Sequence, residues 1–231
     1  MRCNSVIGII GALREEIEII KNNMTQIEVE EFLGGKFYRG AIFEKDVVLS
    51  ECSIGKVNAA VVTTVMIIKY NPDLIINSGI SGSLSDKVKI LDVVVGDTIS
   101  IHDEGEVFKK FYPFSTIFNV NQRYIDIVKD SYKEINKDLA KLHVGGVLTG
   151  DEFIDKNEKK QELRLKFPKS LTVDMECGAI SKVCLRAKKD IITIKTISDE
   201  ADDNADNSYD NFINLAAEKS SKIVLELIKR I

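Results

Sequence analysis

Carboxylates recur in this sequence directly after short apolar runs, with glycines close by. Glu16 closes the stretch Gly8-Ile-Ile-Gly-Ala-Leu-Arg-Glu-Glu16, and Asp174 and Glu176 follow Leu171-Thr-Val173. Asp199 follows Ile197-Ser198 and heads the acidic run Asp199, Glu200, Asp202, Asp203, Asp206. Two more segments sit in the same kind of place, Ser78-Gly79-Ile80-Ser81-Gly82-Ser83 and Thr149-Gly150-Asp151-Glu152-Phe153-Ile154. If the apolar runs are strands of an α/β sheet, ligands bind beyond their carboxyl ends, and these segments share one site. Several carboxylates around glycine-rich backbone suit acid–base chemistry on a small polar ligand, because crowded like charges raise one carboxyl pKa, as a general acid requires.

Each piece also has a plainer reading. Glu15, Glu16 and Glu176 can be first-turn helix acids, favoured by the helix dipole. The acidic run can be a solvated loop, and 78–83 a tight turn whose N–H groups cradle an anion or a ribose. Neither glycine-rich segment is G-x-G-x-x-G, which argues against a dinucleotide-dependent dehydrogenase. Cys3, Cys52, Cys177 and Cys184 form no Cys-x-x-Cys pair, and His102 and His143 are the sole histidines, so a structural zinc site is not expected. The cysteines read as buried, reduced thiols.

Strand and helix periods alternate along the chain. Val6–Gly11 is a short apolar run like a buried parallel strand, and Arg14–Asn22 places Ile17 and Ile20 on one helical face. Residues 29–44 and 46–52 alternate as strands, with Gly34-Gly35 as a turn. Lys56–Tyr70 is apolar nearly all round and predicts a well-buried helix. Strands follow at 74–77, 90–100, 142–148, Ser170–Asp174 and 191–197, with helices at 123–135, Asn157–Lys166, 176–187 and 208–231. The last helix has Phe212, Leu215, Ala216, Ile223 and Leu227 on one face. This order predicts an α/β fold with a mostly parallel, twisted sheet, and the crowded early strands suggest a mixed sheet closing on itself. No linker or repeat divides the chain, so residues 1–231 are expected to form a single domain flanked by helices.

The 231 residues carry 32 Lys+Arg against 36 Asp+Glu, a formal charge of −4, so no net basic field attracts nucleic acid or anionic lipid. The longest apolar runs are too short to span a bilayer. The apolar N-terminal segment meets Arg14-Glu15-Glu16 at once and has no small-residue cleavage site, so a cytoplasmic location is expected.

Six motifs together resemble the nucleoside phosphorylase/nucleosidase superfamily, nearest its 5′-methylthioadenosine/S-adenosylhomocysteine nucleosidases. They are residues 8–16, Ser53-Ile-Gly-Lys-Val-Asn58, Ile76-Asn-Ser-Gly-Ile-Ser-Gly82, Thr149-Gly-Asp-Glu-Phe-Ile154, Val173-Asp-Met-Glu-Cys177 and Ile197-Ser-Asp-Glu-Ala-Asp202, in the family's order over nearly the whole chain. The resemblance implies a single α/β domain with a mixed, partly closed central sheet, working as a homodimer without metal or cofactor on a small nucleoside. It implies that Glu16 activates the attacking water, Asp199 protonates adenine N7, and Glu176 binds the ribose hydroxyls, with Met175 against the sugar. It also implies that Phe153 stacks on adenine, the Ile154 backbone reads its edge, and Leu13, Ile54 and Tyr209 line the 5′-alkylthio pocket. Ile80, Ser81, Gly82 and Ser198 complete the substrate contacts in this reading.

Three positions depart from the family pattern. Ile80 stands where Ser is common, Lys195 where Arg is usual, and Asp174 where Glu is usual. The segment 104–118, which in the family reaches the partner's site, matches poorly. A purine nucleoside phosphorylase remains the alternative, but residues 77–83 hold no Arg for phosphate, although Arg39 or Lys56 could supply a cation. A non-enzymatic nucleoside-binding protein is the alternative of another class, and it leaves the joint presence of Glu16, Glu176 and Asp199 unexplained.

Overall fold

The computed structural model describes residues 5–105, 110, 117–135 and 141–231. In chain order the elements are β1 (Val6–Gly11), α1 (Arg14–Asn22), β2 (Thr25–Phe32), β3 (Gly35–Ile42), β4 (Lys45–Glu51), α2 (Lys56–Tyr70), β5 (Leu74–Ser83) and β6 (Val93–Ile101). They continue with β7 (Ile117–Asn119), α3 (Gln122–Ile135), β8 (Leu142–Thr149), α4 (Asn157–Lys166), β9 (Ser170–Asp174), α5 (Cys177–Ala187), β10 (Asp190–Asp199) and α6 (Ala205–Arg230). All these strands join one sheet. Strands β10, β6, β8, β9 and β5 close into a ring, because β5 also pairs with β10, and β1, β4, β3 and β2 extend it outward from β5. Pairing is parallel for β1–β4, β1–β5, β10–β5, β6–β8 and β8–β9, and antiparallel for β10–β6 and β5–β9. The fold is therefore α/β with a mixed, partly closed sheet, as expected.

Apolar residues of the central strands face helices on both sides. Ile17 and Ile20 of α1, Ile125 and Val128 of α3, and Ile223 and Leu227 of α6 cover one face. Ala59, Val62 and Met66 of α2 with Ile180 and Cys184 of α5 cover the other. Cys52, Cys177 and Cys184 are buried and free, while Cys3 lies outside the described residues. Among the described residues, no helix is long and apolar enough to cross a membrane.

Four expectations need correction. The first hairpin turns at Leu33-Gly34, both at positive φ (50° and 79°), and Gly35 already belongs to β3. A two-residue hairpin of this kind needs left-handed backbone at both positions. Residues 78–83 are not a turn, since β5 runs through Ser83 and pairs with β10 as far as Gly82. Helix α2 is not buried all round, for Val57 and Ile68 are 74% and 75% exposed. Helix α6 turns Leu215 outward (43% exposed) and Phe212 to a half-buried position, and packs through Ala216, Ala217, Ser220, Ser221, Ile223 and Val224. Small side chains let that helix approach the sheet closely, and a hydropathy pattern weighted toward large residues misses this face. Strand β7 was not anticipated, and it adds three residues to the edge of β6. Of the segment 104–118, residues 106–109 and 111–116 lie outside the described residues.

Candidate active site

The carboxyl ends of β1, β5, β9 and β10, with the segments that follow β4 and β8, open on one cavity of about 500 Å³. Glu16, Glu176 and Asp199 line it, together with Leu13, Ile54, Ile80, Ser81, Gly82, Phe153, Ile154, Met175, Ser198 and Tyr209. Thus the structure brings together all thirteen residues singled out from the sequence. None of the described His, Cys, Asp and Glu residues forms a group of three or more that could hold a metal ion.

Glu16 occupies the third position of α1 and folds back over the helix start. Its Oε2 accepts the Ala12 and Leu13 N–H groups at 2.5 and 3.1 Å. Its Oε1 accepts the Ile80 N–H at 2.8 Å. Both readings of this residue hold at once: it is a first-turn helix acid, and it faces the cavity. A Cβ on Gly79 would collide with the Glu16 carboxylate, so the strand can receive this side chain only at a glycine. Burial drives the Glu16 pKa up, with Lys195 and the three N–H donors opposing.

Glu176 immediately precedes α5 but does not cap it. Asp174 does so instead, accepting the Cys177 N–H through Oδ2 at 3.1 Å, while the Thr149 hydroxyl donates to Asp174 Oδ1 at 2.6 Å. Glu176 is thereby left to point into the cavity, where its Oε1 accepts the Gly55 N–H at 2.9 Å. Burial first, then the neighbouring Asp174 carboxylate, pushes its pKa up to about 8.

Asp199 ends β10, buried at 2% exposure, whereas Asp203 and Asp206 in the same acidic run are exposed. It accepts the Ser198 hydroxyl and the Ala201 N–H, each at 2.8 Å. A Cβ on Gly82 would lie 2.7 Å from Asp199 Oδ1, so this glycine too makes room for a carboxylate. Burial raises the Asp199 pKa against those two hydrogen bonds. Phe153 and Tyr209 meet edge to face at the cavity wall, with centroids 5.8 Å apart. Ile80 lines the cavity but also packs on Ala216, Ala217, Tyr209 and Ile213, so it is as much a helix-packing residue as a cavity one.

Behind these acids lies a buried ion. Lys195, 1% exposed, pairs with Asp174 at 2.8 Å. Burial alone would lower the Lys195 pKa, but the Asp174, Glu16 and Glu176 carboxylates together raise it.

Residues 6–229 match the phosphorylase superfamily profile. A 5′-methylthioadenosine/S-adenosylhomocysteine nucleosidase of Staphylococcus aureus (strain JH9) is 32% identical over 98% of this chain and 100% of its own. The chain belongs to that nucleosidase family, hydrolases of the N-glycosidic bond. The same nucleosidase from Neisseria meningitidis, solved in complex with methylthio-immucillin-A, superposes on it with a TM-score of 0.94. It is 32% identical, covering 98% of this chain and 100% of that one. A futalosine hydrolase of Helicobacter pylori also matches, with a TM-score of 0.92 and 28% identity over the whole of both chains.

From the sequence Asp174 counted among the strand-end carboxylates of this nucleosidase but received no substrate role, and Lys195 stood only as a departure from the family pattern. A signal for them was present: a lysine inside the strand run Ile191-Ile-Thr-Ile-Lys-Thr-Ile197 is buried, and a buried cation needs a carboxylate partner. Ala12, Glu152, Val173, Ala201, Asp206 and Asp210 also line the cavity; all but Asp210 lie in the segments marked from the sequence, but none was given a substrate contact there.

The raised carboxyl of Glu176 has a consequence for stability. A folded-state pKa of about 8 against 4.5 unfolded means that folding holds the proton across that window. This contribution is full below the unfolded value and is lost as pH rises toward 8. We therefore expect the melting temperature of the parent to fall relative to that of Glu176→Gln between pH 5 and pH 8. Calorimetry at both pH values checks this, and parallel profiles for the two proteins contradict it.

Proposed function

We propose that this nucleosidase cleaves the N-glycosidic bond of 5′-methylthioadenosine, S-adenosylhomocysteine and 5′-deoxyadenosine with water, releasing adenine. The observation that carries this reading is the meeting of three buried carboxylates, Glu16, Glu176 and Asp199, across one apolar-walled cavity. Glycoside cleavage passes through an oxocarbenium-like ribosyl cation. Adenine leaves slowly as an anion, so Asp199, whose hold on a proton burial strengthens, delivers a proton to N7. Glu16 takes a proton from the water attacking the opposite face. Glu176 binds the ribose hydroxyls, and its ionised form, growing as pH approaches 8, favours the developing cation. Phe153 stacks on the base, the Ile154 backbone reads its edge, and Met175 packs on the sugar. Leu13, Ile54 and Tyr209 form the apolar 5′ pocket.

Water is favoured over phosphate because, among the described residues, the cavity lining holds seven carboxylates and no lysine, arginine or histidine. Lys195 is committed to Asp174, and Lys56 to Asp103. The likeness to a futalosine hydrolase supports a second reading, in which the 5′ substituent differs and the chemistry is shared. Adenine release from each nucleoside, futalosine included, with and without phosphate, tests both readings. A strict phosphate requirement with a sugar 1-phosphate product overturns hydrolysis. The same reading makes the protein a cytoplasmic homodimer. Helix α2 supports the pairing, since it leaves Val57, Val61 and Ile68 exposed on an apolar surface. A monomeric mass in sedimentation equilibrium contradicts it.

Glu16→Gln is expected to lower turnover about 10²–10⁴-fold, the usual worth of a general base. It also costs stability, because both Glu16 oxygens already accept backbone N–H groups and a glutamine must turn an amide donor toward one of them. The cost is about 1–3 kcal/mol for a buried mismatch of this kind. Single-turnover adenine release and the melting temperature, measured on one preparation, separate the two effects. A loss of turnover no larger than the unfolded fraction explains removes the catalytic role.

A further inference from the structure

Lys56 is a cation next to the cavity that neither phosphate binding nor the hydrolytic steps above employ. It opens α2, and its ammonium reaches both oxygens of Asp103 at 2.5 and 2.6 Å and Asp151 at 3.5 Å. The backbone closes the same triangle. The Lys56 N–H donates to Asp151 Oδ1 at 2.7 Å, and the Asp151 N–H donates to Asp103 Oδ2 at 3.0 Å. Three loops that share no sequence neighbourhood are thus joined at one point: the entry to α2, the end of β6, and the end of β8.

Each end of this cluster adjoins a substrate contact of the proposed reaction. Gly55, one residue before Lys56, gives its N–H to Glu176 at 2.9 Å. Its φ of +98° is left-handed backbone, and a Cβ there would stand 3.2 Å from Asp151 Oδ1. Asp151 leads directly into Glu152, Phe153 and Ile154 of the cavity wall. Underneath, the His102 ring lies against Gly150, where a Cβ would strike it, and its buried Nε2 has no hydrogen-bond partner among the described residues. Burial lowers the His102 pKa, against the pull of Asp103. Burial alone would raise the Asp103 pKa, but Lys56 and the Asp151 N–H outweigh it, so Asp103 stays ionised. Without Lys56, two carboxylates face each other across the junction, and like charges push the loops apart.

We propose that Lys56, Asp103 and Asp151 form a positioning cluster that fixes the distance between the Glu176 ribose contact and the Phe153–Ile154 base wall, so that a nucleoside engages both at once. The inference rests on the reading of Glu176 and Phe153 given above. It assigns no chemical step to the cluster.

The test uses the full-length protein with 5′-methylthioadenosine, and with adenine alone as the fragment lacking ribose. Lys56→Met and Asp103→Asn are expected to lower kcat/KM about tenfold to a hundredfold, the scale of an ångström-sized misplacement of substrate groups. Adenine binding is expected to change less than threefold, and Lys56→Arg to recover most of the activity. A double-mutant cycle gives the decisive readout: in a Glu176→Gln background, Asp103→Asn is expected to weaken binding of a non-hydrolysable nucleoside far less than in the parent. Fully additive losses overturn the proposal. So do losses that track the melting temperature, or an Arg variant no better than Met. A parent protein that releases no adenine from any nucleoside refutes the underlying reading instead, whereas an active parent with unaffected Lys56 and Asp103 variants refutes this inference alone.

Discussion

Asp199→Asn is expected to abolish most adenine release while leaving the protein folded. The carboxyl is 2% exposed and burial raises its pKa, which favours the proton-donor role, and asparagine has no such proton to transfer. The loss should reach about 10²–10⁴-fold, the contribution of a well-placed general acid. The fold should tolerate the change. An asparagine Oδ1 can still accept the Ala201 N–H, and its amide can donate to the Ser198 hydroxyl, which rotates to accept. Adenine release and thermal unfolding, followed together, give the result. Turnover within tenfold of the parent would place the acid elsewhere. A collapse in melting temperature would make Asp199 structural.

Lys195→Met should have the largest effect on stability. The ammonium is 1% exposed, 2.8 Å from Asp174, and it offsets Glu16 and Glu176 as well. Removing one member of a buried pair leaves an uncompensated charge and costs about 3–5 kcal/mol. For a protein of this length that is a fall of roughly 6–20 °C in melting temperature. The sign with pH follows from the same charges. In the parent the Lys195 pKa is raised, so its contribution is fully present below the unfolded lysine value and is constant from pH 5 to pH 8. In the variant, Glu16 and Glu176 lose their cation and resist ionisation further, so the deficit should be smaller at pH 5 than at pH 8. Adding Asp174→Asn should restore part of the loss. A single variant within about 1 kcal/mol of the parent would show that the pair contributes little.

Much of the architecture was legible in sequence because period and burial agree there. Val6–Gly11, Lys56–Tyr70, Asn157–Lys166 and Ser170–Asp174 have the bounds read from apolar spacing. The ends of strands carried the site signal for a related reason. A buried strand spends its side chains on packing, so a carboxylate at its end stands out, and Glu16, Glu176 and Asp199 did.

Tertiary structure decided what single-strand patterns cannot encode. The closing of the sheet depends on β5 pairing with β10, residues more than a hundred positions apart, through a register no local period specifies. Gly79 and Gly82 looked like turn residues, yet they lie within β5 because Glu16 and Asp199 occupy the space their Cβ atoms would need. Which acid caps a helix and which faces the cavity is likewise a matter of distance. Asp174 reaches the Cys177 N–H and Lys195, which frees Glu176 for the site. Residue type and spacing determined the chemistry this protein can carry. How tightly Glu16, Glu176 and Asp199 hold a proton was set by burial, opposed at Glu16 and Glu176 by Lys195, because desolvation and Coulomb energy depend on three-dimensional separation and not on position along the chain.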